Sequence, residues 1–113
     1  MEFSCTAQQT EGRVVLTVVG DVDMSAHEQF LADVEPWASG TTDVVLDCSG
    51  VTFMDSMGLR VLVLLRQRAA DNGHEFVLRS PSQPVTRVME AAGVSELFTA
   101  TSADSGAGAE PLT

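Results

Sequence analysis

The chain has 113 residues, 44% of them hydrophobic, and a formal charge of −10. That length holds a single domain with one modest core, and the composition is that of a folded globular protein rather than a disordered one. All six basic residues are arginines scattered among sixteen carboxylates, which excludes a basic patch for nucleic acid, and the absence of lysine excludes a P-loop, a Schiff base and any cofactor held as an imine.

Taken in order, residues Phe3 to Gln8 alternate, with Phe3, Cys5 and Ala7 on one side, and predict a half-buried strand with one wet face. Glu11-Gly12 is a turn signal, and the β-branched run Val14 to Val19 completes an antiparallel hairpin. Gly20 to Ser25 then reads as a polar loop, with Ser25 and Glu28 spaced as a capping box for a helix over Ala26 to Ala38 that buries Phe30, Val34 and Trp37. Pro36 is expected to tighten or end its last turn.

Val44 to Cys48 is a buried strand, Ser49-Gly50 a turn signal, and Asp55-Ser56 stands directly before a strongly apolar helical run that Asp71-Asn72-Gly73 closes. On that second helix Gly58, Leu62, Leu65 and Ala69 form a stripe expected to face the sheet. Met57, Val61 and Leu64 form a neighbouring stripe; Leu64 reads as part of a wide buried face, and Met57 and Val61 as a small exposed patch for a partner. Glu75 to Arg79 is a short strand, Ser80-Pro81-Ser82 a break, Gln83 to Ala92 a third helix closed by Gly93, and Val94 to Phe98 a turn and last edge strand. The residues after Ala100 collapse to small and polar types and are expected to be a disordered tail, 101–113, behind one domain, 1–100. The order β-β-α-β-α-β-α-β predicts an α/β fold, with a mixed sheet that starts antiparallel and continues through parallel, right-handed crossovers.

The longest apolar run, Val61 to Leu65, is far too short to span a membrane. The N-terminus opens acidic with no apolar core of a signal peptide, so a cytoplasmic location is expected. Cys5 and Cys48, each in a predicted strand, read as small core hydrophobes rather than a disulfide. His27 and His74 without a Cys-x-x-Cys pair provide no basis for a metal site, and no cofactor is expected.

Asp21, Asp23, Asp55 and Ser56 all follow carboxyl ends of strands, where open α/β sheets place functional residues, and are expected to share one rim. Ser56 has three readings. As a nucleophile it lacks a Gly-x-Ser-x-Gly setting and a base, because His27 lies in the first helix and His74 at the opposite end of the fold. As a helix cap it is well placed, although Asp55 can take the same role. As a phosphoacceptor it is equally well placed, since a helix N-terminus tolerates a dianion. Asp21-Val22-Asp23 after a hydrophobic strand also resembles the first motif of haloacid-dehalogenase-type phosphatases. With no lysine, no later Asp-Asp pair and too short a chain, a recognition role is favoured.

The segment Val45-Leu46-Asp47-Cys48-Ser49-Gly50-Val51-Thr52-Phe53-Met54-Asp55-Ser56-Met57-Gly58-Leu59 resembles the signature of STAS domains of the anti-sigma-factor antagonist type. Gly20-Asp21-Val22-Asp23 is similar to their Gly-Glu-Leu-Asp loop, and Ser80-Pro81-Ser82-Gln83-Pro84-Val85 with Gly93 and Leu97-Phe98 to their C-terminal part. The resemblance implies a small mixed sheet flanked by helices and a function without catalysis. The unphosphorylated form would bind an anti-sigma factor, a GHKL-type serine kinase, and free a sigma factor. Phosphorylation of Ser56 would end binding, and a PP2C-type phosphatase would reverse it. Asp21, Asp23, Asp55, Ser56, Met57, Gly58, Arg60 and Val61 are the expected partner-binding residues. Two positions depart from the pattern: Met57 replaces a second Ser or Thr, and Arg60 replaces a glycine, four residues from Ser56 where it can meet a phosphate. The alternative within the family is an accessory subunit of a transporter or signalling scaffold in which Ser56 only caps; a small Asp- or Ser-dependent hydrolase is the third reading.

Overall fold

Seven regular elements and a closing 3-10 turn follow one another as β1 (Ser4–Thr10), β2 (Arg13–Val22), α1 (His27–Ala38), β3 (Asp43–Met54), α2 (Ser56–Asp71), β4 (Phe76–Arg79), α3 (Gln83–Ala92) and the turn Ser95–Phe98. The computed structural model describes residues 2–98, so the predicted tail lies outside the described residues. Four strands form one sheet in the order β1-β2-β3-β4; as predicted, β1 is antiparallel to β2 and the other pairs are parallel. Over Val94 to Phe98, where a turn and a last edge strand are expected, Ser95–Phe98 is a 3-10 turn and no strand forms.

Alternation along β2 decides which face is covered. Val14, Leu16, Val18 and Val22 are buried, and in register with them on the same face stand Val44 and Leu46 of β3 and Phe76 and Leu78 of β4. Strands stepping from β2 to β3 to β4 through right-handed crossovers carry α1 and α2 to that same face. There Phe30 and Val34 of α1 and Leu62, Leu65 and Ala69 of α2 close the core. The expected stripe on α2 is therefore the buried one, each leucine contributing about 1.5–3 kcal/mol by leaving water. On α1 the stripe is Phe30, Val34 and Ala38, with Trp37 only partly buried.

Both long strands run further than predicted. β2 continues through Gly20 and Asp21 to Val22, so Asp21 lies in a strand and not in a loop. β3 continues through Ser49-Gly50, where a turn was expected, because that dipeptide is accommodated as a bulge. Thr17 pairs with Asp47 but Val19 with Gly50, and Gly20 pairs with Val51 but Asp21 with Phe53. Each shift adds one residue to β3 and turns its side chains over, so the inward positions become Cys48, Val51 and Met54 and the period is three.

The capping box at the start of α1 is not formed. Ser25 donates both its amide and its hydroxyl to Asp23 Oδ1, at 3.0 and 2.7 Å, and α1 starts at His27 without a side-chain cap. Gly20, with φ of +97°, lies under the Glu2 carbonyl oxygen, which would be 2.2 Å from an added Cβ, so the N-terminal segment crosses β2 where only glycine admits it. That crossing brings Phe3 edge-on to Phe30, with ring centroids 6.0 Å apart. α3 matches its predicted span and ends in the left-handed Gly93.

Cys5 and Cys48 are free thiols. β2 lies between their strands, and two strand spacings of about 4.8 Å exceed the reach of a disulfide. Burial, with the nearby Asp33 charge, pushes the Cys5 thiol up to about 11. Cys48 is also raised, first by burial and then by the charges of Asp47 and Cys5, so both serve as small apolar groups.

Candidate functional site

The carboxyl ends of β2 and β3 lie side by side, and three hydrogen bonds shape what stands there. Thr52 Oγ1 donates to Asp21 Oδ1 at 2.6 Å, and the Asp55 amide donates to the Val22 carbonyl at 3.3 Å, which ties the turn after β3 to the end of β2. The third settles the capping question. Asp55, in extended conformation with φ of −96° and ψ of −179°, accepts from the Gly58 amide through Oδ1 at 2.9 Å and is the N-cap of α2. Ser56 is the first helical residue and is exposed, and among the described residues no hydrogen bond engages its hydroxyl.

The acidic groups have different surroundings. The Thr52 hydroxyl, foremost, holds the Asp21 carboxyl below the usual carboxylate range. Asp23 is occupied by Ser25 and lends its carbonyl to the amides of Ala26 and His27. Asp21 and Asp23 line one hollow on the α1 side, together with Phe3 and Gln29. Ser56 lines another, of about 520 Å³, between α2 and α3, with Arg60, Leu64, Gln67, Ala92 and Val94. The four expected residues thus share one end of the sheet, but their side chains flank it on two sides.

Two of the expected contact residues are inaccessible. Val61 is only 9% exposed and Gly58 is buried against Val22 and Met54, whereas Leu64, read as buried, is 41% exposed. The stripe prediction fails here because the covered arc of α2 is centred on Leu62 and Leu65 and extends toward Val61, leaving Leu64 on the open flank. Met57 is 40% exposed, as expected. The structure adds Met24 and Phe53, both exposed at the same end. Counting by two from Val44, Leu46 and Cys48 already points Phe53 outward, and the two bulges in β3 together restore that alternation beyond Val51. Met24, next to Asp23 in a polar stretch, is visible in the sequence as a large apolar residue where none is needed for the core.

Further along β3, Asp47 accepts from the amide and hydroxyl of Ser49 at 2.9 and 2.7 Å and faces Arg79 at 3.5 Å. Partial burial works to raise its pKa, but the Ser49 bonds and the Arg79 charge together outweigh this and hold it below the usual range. His74 stands at the other end of the sheet, with Nε2 2.7 Å from the Ala38 carbonyl, and cannot serve Ser56 as a base. Among the described residues no cluster of three His, Cys, Asp or Glu side chains could hold a metal ion, and no helix is long and apolar enough to cross a membrane.

Comparison with known proteins agrees with this arrangement. The family model for the STAS domain matches residues 4–107. A STAS-domain containing protein of Pseudomonas aeruginosa is 27% identical over 85 residues, spanning 75% of this chain and 84% of the relative. Among solved structures, an anti-sigma factor antagonist from Mycobacterium paratuberculosis superposes with a TM-score of 0.73 at 21% identity, covering 87% of this chain and 84% of the other. The Bacillus cell fate determinant SpoIIAA in its phosphorylated form gives 0.66 at 21% identity, covering 87% and 89%. At these identities the superpositions speak for the fold, and with the family model covering almost the whole chain, this protein belongs to the STAS domain family.

Proposed function

We propose that this STAS domain is an anti-sigma factor antagonist switched by phosphorylation of Ser56. In this reading the unphosphorylated domain binds an anti-sigma factor that is a GHKL-type serine kinase, and so frees a sigma factor. The kinase transfers the γ-phosphoryl group of ATP to Ser56 Oγ, which loses its proton as ADP departs. A PP2C-type phosphatase hydrolyses the ester. The domain performs no chemistry itself and is placed in the cytoplasm with its partners.

The observation that carries the proposal is the division of labour at the start of α2: Asp55 caps the helix, so the Ser56 hydroxyl is exposed and uncommitted. A kinase can take it without dismantling the cap. The structural similarity to SpoIIAA, solved in both unphosphorylated and phosphorylated forms, supports a phosphorylation switch in this domain. Around it, exposed Met24, Phe53 and Met57 alternate with Asp21, Asp23 and Asp55, a surface suited to a partner with an apolar centre and basic margins. A phosphate adds about −1.5 to −2 charges to that rim. Desolvating the dianion against a partner costs on the order of several kcal/mol, which is enough to end binding without refolding the domain.

The test is mass spectrometry of the protein incubated with ATP and each GHKL-type anti-sigma kinase of its organism. One phosphate, on Ser56, is expected; Ser56→Ala should take up none and bind constitutively, and Ser56→Asp should bind poorly. Phosphate on another residue sinks the site assignment. A pull-down that recovers transporter components and no such kinase favours the accessory-subunit reading instead.

A further inference from the structure

At position 60 this chain carries an arginine whose surroundings, among the described residues, give it no occupation. Among the described residues Arg68 pairs with Glu35 and Arg79 with Asp47, whereas Arg60 makes no ion pair and stands exposed on the first turns of α2. It lines the same hollow as Ser56, four residues earlier on the helix, and residues so spaced lie on one face with their Cβ atoms roughly 5–6 Å apart. The other walls of that hollow, Leu59, Val63, Leu64, Ala92 and Val94, are apolar, and Gln67 is neutral, so among the described residues Arg60 is the one charged group lining it.

The helix terminus alone serves a phosphate poorly here. Of the first four amides of α2, Gly58 is taken by Asp55 Oδ1 and Leu59 by the Asp55 carbonyl, leaving those of Ser56 and Met57. The capping carboxylate of Asp55 also repels a dianion placed on the next residue. A cation one turn along, in the favourable order of anion before cation, counters that repulsion.

We propose that Arg60 is an intramolecular phosphate clamp: when Ser56 is phosphorylated, the guanidinium pairs with the phosphate across one turn of α2 and holds the dianion over the hollow between α2 and α3. The proposal rests on Ser56 being the phosphoacceptor. It assigns to Arg60 the part of retaining the phosphate on the α2 and α3 side, away from Asp21 and Asp23 on the other flank.

The clamp can be tested without the kinase, on full-length protein carrying phosphoserine at position 56 installed during translation. The second ionisation of the phosphate is followed by phosphorus NMR between pH 4 and pH 8. Replacing Arg60 by Gln should raise that pKa by roughly 0.2–0.7 unit, because the dianion loses its charge-assisted partner. Arg60→Lys should retain part of the effect, and Arg87→Gln, beside Phe53 in a separate hollow, should leave the pKa unchanged. In 1 M salt the difference between Arg60 and Gln should shrink. A phosphate pKa unaffected by Arg60→Gln, or moved as much by Arg87→Gln, overturns the clamp. Absence of phosphate on Ser56 after incubation with the kinases would instead overturn the phosphoacceptor reading, and that result leaves this titration untouched.

Discussion

Replacing Asp55 and Ser56 one at a time separates the two roles that a serine before an apolar helix can have. Asp55→Ala removes the acceptor 2.9 Å from the Gly58 amide, while the Asp55 backbone bond to Val22 stays, so the turn is kept and only the cap is lost. Loss of such a cap costs about 1 kcal/mol, in a range of roughly 0.5–2. Asp55→Asn keeps an acceptor in place and loses only the charge near the positive helix end, so it should cost about 0.3–1 kcal/mol, below the alanine variant. Ser56→Ala removes a hydroxyl that no described residue engages and should stay within about 0.5 kcal/mol of wild type. Urea unfolding resolves these differences: with a slope of about 1–2 kcal/mol per molar, the Asp55→Ala midpoint should fall by roughly half a molar to one molar, and the melting temperature by about 4 °C. If Ser56→Ala loses as much as Asp55→Ala, or Asp55→Ala loses nothing, the assignment of the cap to Asp55 is wrong. The free hydroxyl on which the proposed function depends would then be gone with it.

Two further outcomes follow from the packing and the charges. Gly58→Ala places a Cβ 2.9 Å from Val22 Cγ1 and 3.0 Å from the Val22 carbonyl oxygen, and the carbonyl belongs to the β2 backbone and cannot turn aside. Overpacking of about 1–3 kcal/mol outweighs the roughly 0.5–1 kcal/mol that alanine gains over glycine in a helix, so the variant should be less stable by about 1 kcal/mol in the same urea assay. A more stable Gly58→Ala protein would contradict the close β2 to α2 approach. The Asp47 carboxyl is held below its unfolded value of about 3.9, so its stabilisation is complete above that value and is lost as pH falls through the lower, folded one. Asp47→Asn should therefore show a smaller drop in urea midpoint between pH 5 and pH 3 than wild type, and an unchanged drop would remove Asp47 from the acid response.

Whether a feature was legible in the sequence depended on how local its cause is. The antiparallel start and parallel continuation of the sheet, the inward stripe of α2 and the ends of α3 follow from period, turn residues and crossover handedness, each contained in a short window. The site was legible as a set of residues, because the ends of β2 and β3 had to converge once the strands were parallel. Its orientation was not, and the residues that misled share a physical reason. Ser49-Gly50 looks like a turn, but β2 pairs with β3 both before and after it and the dipeptide is absorbed as a bulge. The first bulge reverses the alternation of β3 and turns Val51 inward, and the second restores it so that Met54 faces in and Phe53 out; the inward Val51 is a consequence of the register that no count along β3 contains. Ser25 satisfies the spacing of a capping box, yet the nearer Asp23 carboxylate takes its hydroxyl. At Asp55-Ser56 the same competition between adjacent side chains runs the other way: the carboxylate reaches the Gly58 amide from the extended residue before the helix, a position that the hydroxyl of Ser56, already inside the helix, does not occupy. Spacing alone allowed either residue to cap. Backbone conformation gives the cap to the aspartate, and it leaves Ser56 exposed, between an acidic rim on one side and an arginine on the other.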